Sequence, residues 1–184
     1  ANFVSVSAVD TTLKDLKIII EEAKKLKRFG KVTILFIDEI HRFNKTQQSF
    51  LLPFVEKEDI YLIGATTENP SFEIIPPLLS RVKVFILNPL TKNEILKILE
   101  RAVSDKEKGL GNFEIEIKKE VLEAIAEASA GDARNALNTL ELLVDLAISE
   151  NRKKISLEHL NKTLLYKPLI YDKSGEEHYN LISA

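Results

Sequence analysis

The sequence predicts an α/β layer, a parallel sheet with flanking helices, followed by an all-α bundle. Three observations carry that reading. Apolar runs without alternation, Ile34–Ile37 and Ile60–Ile63, have the pattern of strands covered on both faces, as in parallel sheets. They are set apart by segments of helical periodicity, in the order that builds a parallel layer. Beyond Asn88-Pro89 the strand signals stop and helical ones remain.

Taken in order, Phe3–Ala8 alternates and reads as a strand. Thr12 and Asp15 form a capping box that starts a helix with Leu13, Leu16, Ile20, Ala23 and Leu26 on one face. Gly30 suits its C-terminal stop. Val32–Ile37 is the next strand and ends in the carboxylate pair Asp38-Glu39. A short helix is expected over 45–57, kinked where Pro53 removes a backbone donor. Ile60–Ala65 reads as a third strand and Val82–Leu87 as a fourth.

Thr91 with Glu94 makes a second capping box, and Leu90 with Ile95 a hydrophobic staple. Helices are expected over 92–106, 118–129, 132–149 and 157–165. The third carries the stripe Ala133, Ala136, Leu137, Leu140, Val144 and Ala147. In the fourth, Ser156 is the cap, with Ile155 and Leu160 as staple. Three domains follow: 1–90 as α/β layer, 91–166 as helical bundle, and 167–184, which leaves the pattern.

Composition bounds the function. At 184 residues, 45% hydrophobic and 29% charged, the chain has room for one large or two small cores. Net charge is −2, with 26 basic against 28 acidic residues, so no basic footprint for nucleic acid stands out. With no cysteine there are neither disulfides nor thiolate-held metals, which agrees with a reducing compartment. No apolar run has the length of a membrane span, so no membrane partner is expected and a cytoplasmic location is the default.

The chemistry concentrates at Asp38 and Glu39. In open α/β sheets, ligands bind at the carboxyl ends of the strands. Two carboxylates there suit magnesium binding and water activation in nucleoside triphosphate hydrolysis. The plain alternative is a core strand running into an acidic turn. As consecutive strand residues, the two should point to opposite sides. Thr67 follows the next strand at the same edge, where a hydroxyl can bond the attacking water or the γ-phosphate; a turn helped by Asn69-Pro70 is the alternative. Arg81 follows Pro76-Pro77-Leu78-Leu79-Ser80, and a solvated arginine before a strand is its bland reading. Arg134 lies in the first turn of a helix capped by Asp132, where a cation opposes the macrodipole, unless it merely pairs with Asp132 or a nearby acid. His41 reads as a packed or hydrogen-bonding residue, and His159 and His178 are too scattered for a metal site. Lys24, Lys25, Lys27 and Arg28 are interleaved with Glu21 and Glu22 as on a solvated helix face.

The phrases DEIHRFNKTQQ, IGATTENPSFE, LLSR and GDARNALNTLE, in this order, resemble the AAA+ ATPases of the RarA/MgsA family, relatives of the eukaryotic Werner-helicase-interacting protein. The resemblance runs from about residue 3 to the C-terminus. It implies a partial AAA+ parallel sheet followed by an all-α helical lid, with 167–184 beginning an oligomerisation region. In that family's terms Asp38 is the Walker B ligand of magnesium, through water, and Glu39 activates the attacking water. Thr67 corresponds to sensor 1, Arg81 to the arginine finger acting on a neighbouring subunit, and Arg134 to sensor 2, contacting the γ-phosphate. ATP and Mg2+ are the implied cofactors. DNA, single-stranded or forked, single-strand binding protein and further copies of the chain are the implied partners, with nucleoid association in a bacterium. RuvB and clamp-loader subunits share the layout, and a non-hydrolysing AAA+-shaped interaction module is the alternative from another class.

One departure is plain. None of the six glycines (30, 64, 109, 111, 131, 175) begins a Gly-Lys-Ser/Thr sequence, so the phosphate loop Gly-x-x-x-x-Gly-Lys-Ser/Thr is missing. The resemblance implies that this loop lies just before residue 1, and that the 184 residues are a piece of a longer chain. The strand leading into it would lie between Ile60–Ala65 and Val82–Leu87. Without it, those two strands are expected to close up or to accept a strand from elsewhere.

Overall fold

The computed structural model describes residues 1–113 and 115–162. They fall into two compact units, one from Ala1 to Ile86 and one starting at Leu87.

In the first unit, β1 (Asn2–Ser7), β2 (Thr33–Asp38) and β3 (Tyr61–Gly64) form a parallel sheet in the order β1-β2-β3. The register pairs Ser7 with Asp38, and Ile37 with Gly64. β2 is central, and Leu35 and Ile37 are fully buried there, which is why this strand reads as an unbroken apolar run. Helix α1 (Leu13–Arg28) starts at the expected box: the Thr12 hydroxyl accepts from the Asp15 N–H, and the Asp15 carboxylate accepts from the Thr12 N–H. It packs Leu16, Ile20 and Ala23 into the core, and Gly30 (φ 71°) turns the chain after it.

After β2 comes a 3₁₀ turn (Ile40–Arg42), and then α2 (Lys45–Glu56), whose N-terminus is boxed by Asn44 and Gln47. Helix α2 continues through Pro53 to Glu56. Two single-turn helices follow β3, α3 (Pro70–Glu73) and α4 (Pro76–Leu79). Gln48, buried on α2, ties this stretch together. Its amide donates to the carbonyls of Phe43 (2.9 Å) and Glu73 (3.0 Å), and its carbonyl accepts from the Ile75 N–H (2.9 Å).

Residues 82–87 are not a strand, contrary to the sequence expectation. A strand is defined by the neighbour it pairs with, and among the described residues none pairs with this segment or with the outer edge of β3. The two segments have not closed on each other. Val84, Phe85, Ile86 and Leu87 lie exposed, the last at 90%.

The second unit contains α5 (Lys92–Ser104), α6 (Lys119–Ala128) and α7 (Ala133–Ser149), and 157–162 is also helical. Ile95 and Leu99 of α5, Val121 and Ile125 of α6, and Leu140 and Leu143 of α7 form its core, joined by Ile155 and Leu160. The unit is not purely helical: β4 (Glu116–Ile117) and β5 (Lys154–Ile155) make a two-residue parallel ladder. So short a ladder has no periodicity to read. Residues 163–165, His178 and the segment 167–184 lie outside the described residues. Among the described residues, no helix is long and apolar enough to cross a membrane.

Gln48→Leu keeps the volume but strands two carbonyls and one N–H. At about 1–3 kcal/mol per unsatisfied buried group, and with two of the three bonds only part-buried, urea unfolding should show the first unit destabilised by roughly 3–5 kcal/mol.

Candidate functional site

The site is built where β2 and β3 end. The ladder does not stop with the strands: the Ala65 N–H donates to the Ile37 carbonyl (2.9 Å), and the Ile40 N–H donates to the Ala65 carbonyl (2.9 Å). On the other side, the Ala8 N–H donates to the Asp38 carbonyl (2.9 Å). These bonds hold the turn after β2 and the turn after β3 in one fixed relation.

Asp38 closes β2 with an exposed carboxylate, whose Oδ1 accepts the Glu39 N–H (3.1 Å). Glu39 then leaves the strand, with left-handed backbone (φ 53°). The alternation expected of consecutive strand residues therefore does not apply to it. A side-chain-bearing residue pays roughly 1–2 kcal/mol for that conformation. The other such residues, Glu58, Ala130 and Asn151, fall in the turns just after helices. Glu39 alone among them opens a turn at a sheet edge.

Next to it, the His41 Nδ1 lies 3.2 Å from Glu39 Oε2 and 2.9 Å from the Thr66 Oγ1. Thr66 Oγ1 also accepts the Glu68 N–H (3.0 Å), which sets the turn leading to Asn69 and Pro70. Thr67 sits at this same edge and is exposed. Asp38, Glu39 and Thr67 thus all lie where β2 and β3 end, and the side-chain contacts observed there run through His41 and Thr66. Gly64 is the condition for this. A Cβ there would lie 2.9 Å from Ile40 Cδ1 and 3.0 Å from its Cγ2, and Ile40 is buried in the core.

Arg81 belongs to the same unit and follows α4, and the strand expected after it is not formed. Its Nη2 pairs with Glu56 Oε1 (2.6 Å), and its Nη1 donates to the Pro77 carbonyl (2.7 Å) and to Ser80 Oγ (3.0 Å). Both charged side chains are 41% exposed, a pairing that holds loosely in water. Arg134 belongs to the second unit. Gly131 (φ 86°) turns the chain before it, and a Cβ there would meet the Leu90 carbonyl at 2.7 Å. The Asp132 carboxylate accepts the Asn135 N–H (3.0 Å) as helix cap. Arg134 is exposed and forms no ion pair among the described residues, so its pairing with Asp132 is not observed.

No group of three or more metal-ligating side chains occurs among the described residues. One exposed carboxylate is nonetheless what magnesium needs of a protein, since it keeps several waters and takes further oxygens from phosphates. Asp38 fits that demand. The basic cluster on α1 is partly engaged: Lys24 pairs with Glu21, and Lys27 with Asp59.

The family described as ATPases associated with various cellular activities (AAA) matches residues 1–90, and an AAA C-terminal domain family matches 111–184. Replication-associated recombination protein A of Haemophilus influenzae is 46% identical over 180 residues, covering 97% of this chain and 40% of that protein. The protein of the same name from Escherichia coli K12 is 43% identical, with 97% and 40% covered. The chain spans about two fifths of the length of these curated relatives. Among solved structures, a Thermotoga maritima RuvB variant superposes with a TM-score of 0.71 at 28% identity, covering 97% of this chain and 57% of that one. The structure described as the RuvB Holliday junction branch migration motor gives 0.70 at 28%, covering 89% and 52%.

Gly64→Ala should displace Ile40 and with it the turn that carries Glu39. Overpacking of this kind costs about 1–3 kcal/mol. Backbone NMR shifts should concentrate at Glu39, Ile40, His41 and Thr66, and shifts spread evenly through the unit would contradict the role given to Gly64.

Proposed function

We propose that this chain, which belongs to the AAA+ ATPases and among them to the replication-associated recombination (RarA) group, supplies the water-activating and sensing half of an ATPase that acts on DNA. The observation that carries the reading is the carboxylate pair at the end of the central parallel strand, bonded through the backbone to a threonine-bearing turn. Parallel sheets bind ligands at this end. An exposed aspartate and a glutamate beside it divide the work of metal binding and water activation.

Asp38 is the residue that would hold magnesium, and the ion, when bound, would supply neutralisation of phosphate charge. Glu39 orients the attacking water and takes its proton. Thr67 donates a hydrogen bond to that water or to the γ-phosphate. Arg81 acts on the nucleotide of a neighbouring copy, for which it must leave Glu56; the exposure of their ion pair makes that exchange cheap. Arg134, exposed and unpaired among the described residues, reaches the γ-phosphate from the first turn of α7. Residues 1–90 then serve as the catalytic layer and 91–166 as the lid. The work is done on single-stranded or forked DNA in replication and recombination, by a homo-oligomer in the cytoplasm, associated with the nucleoid and with single-strand binding protein.

The 184 residues contain no Gly-Lys-Ser/Thr loop to grip a triphosphate. By themselves they should neither bind ATP tightly nor hydrolyse it, and calorimetry returning a micromolar Kd would overturn this. In the whole protein, Glu39→Gln should retain ATP binding and lower turnover by about a hundredfold or more, the usual worth of a general base. Arg81→Ala should lower turnover as well, and mixing the two variants should restore part of it at mixed interfaces. Absence of recovery in the mixture refutes the assignment of Arg81.

A further inference from the structure

We propose that His41 is a positioning residue that links the Glu39 carboxylate to the hydroxyl of Thr66, so that the state of the turn after β3 governs the placement of the base. The inference rests on the role given above to Glu39.

A single nitrogen, His41 Nδ1, faces two oxygens, Glu39 Oε2 at 3.2 Å and Thr66 Oγ1 at 2.9 Å. A carboxylate only accepts, so Glu39 is held only when Nδ1 carries a hydrogen. The threonine hydroxyl does either. In one arrangement Nδ1–H donates to both oxygens, and the Thr66 hydrogen is free for another acceptor. In the other, Thr66 donates to a bare Nδ1, and Glu39 loses its donor. Thr66 Oγ1 already accepts the Glu68 N–H, and its own hydrogen goes either to Nδ1 or to another acceptor in reach. An acceptor arriving at the end of β3, such as a phosphate oxygen, draws that hydrogen away from Nδ1. The Nδ1–H tautomer follows, and Glu39 is tethered.

The surroundings are stiff enough to make the link directional. The His41 side chain is 11% exposed, and its turn is anchored by buried Ile40 and Phe43. Both turns hang on the Ile40-to-Ala65 backbone bond. Glu39 keeps a costly backbone conformation, which the packed turn after it maintains. A histidine serving only as filler would not need its ring nitrogen between the base and a hydroxyl.

The test is steady-state ATP hydrolysis by the whole protein, with each variant checked for folding by thermal denaturation. His41→Ala should lower kcat by about ten- to a hundredfold, the range expected when a reacting group loses its support, with KM for ATP within about twofold. His41→Asn places an amide N–H near the Nδ1 position and should recover most of the rate, whereas His41→Gln, reaching toward Nε2, should not. A long-range proton–nitrogen NMR spectrum should show His41 Nδ1 gaining hydrogen when Thr66→Val removes the competing hydroxyl. Equal rates for His41→Ala and the unaltered protein, or equal losses in all three His41 variants, overturn the proposal. Glu39→Gln run alongside separates the two readings. If it too retains full turnover, the base assignment fails; if it is inactive while His41→Ala is not, the positioning role alone fails.

Discussion

Two backbone hydrogen bonds beyond the ends of the strands hold the site: Ala65 N–H to Ile37, and Ile40 N–H to Ala65. They carry the parallel ladder out of the regular sheet and into its loops. Because backbone groups make them, they are indifferent to most side chains, except where a side chain would push the two backbones apart. Gly64 is that exception, and its missing Cβ is filled by Ile40. Ile40 thus works twice: its N–H closes the ladder, and its side chain seals the core below the carboxylates. Loops placed on a rigid sheet keep catalytic groups in position better than loops that pack only on themselves.

The same economy recurs at Gln48. One amide joins α2 to the turn before it and to the segment α3–α4, with each polar atom partnered. The turn that carries Glu39 and the segment that leads to Arg81 are therefore braced from one residue. A fully satisfied buried amide specifies geometry, where an apolar side chain of similar size would only fill space.

Much of this was legible in the residues. The apolar stripes and the capping boxes at Thr12 and Thr91 mark the helices because they follow local rules. Leu35 and Ile37 mark the central strand because burial on both faces removes polar residues. What stayed hidden depends on partners distant in sequence. Whether Val82–Leu87 is a strand is decided by a neighbour, not by its own apolar content. The ladder between Glu116–Ile117 and Lys154–Ile155 is too brief to leave a pattern. Two consecutive carboxylates look alike in sequence, yet Asp38 ends the strand and Glu39 begins a left-handed turn. The contact between His41 and Thr66 appears only when residues 25 apart in the chain meet.

The exposed run from Val84 to Leu87 has a practical side. Four apolar residues without a proline lie beside a single lysine, Lys83, and among the described residues the outer edge of β3, whose Tyr61 and Ile63 are exposed, has no paired strand. Flat, unguarded edges of this kind pair with the extended segments of other molecules. Among the described residues, both the 84–87 segment and the outer edge of β3 therefore keep backbone groups available to a further extended strand. A charge added among residues 84–87 would oppose such pairing without touching the described core.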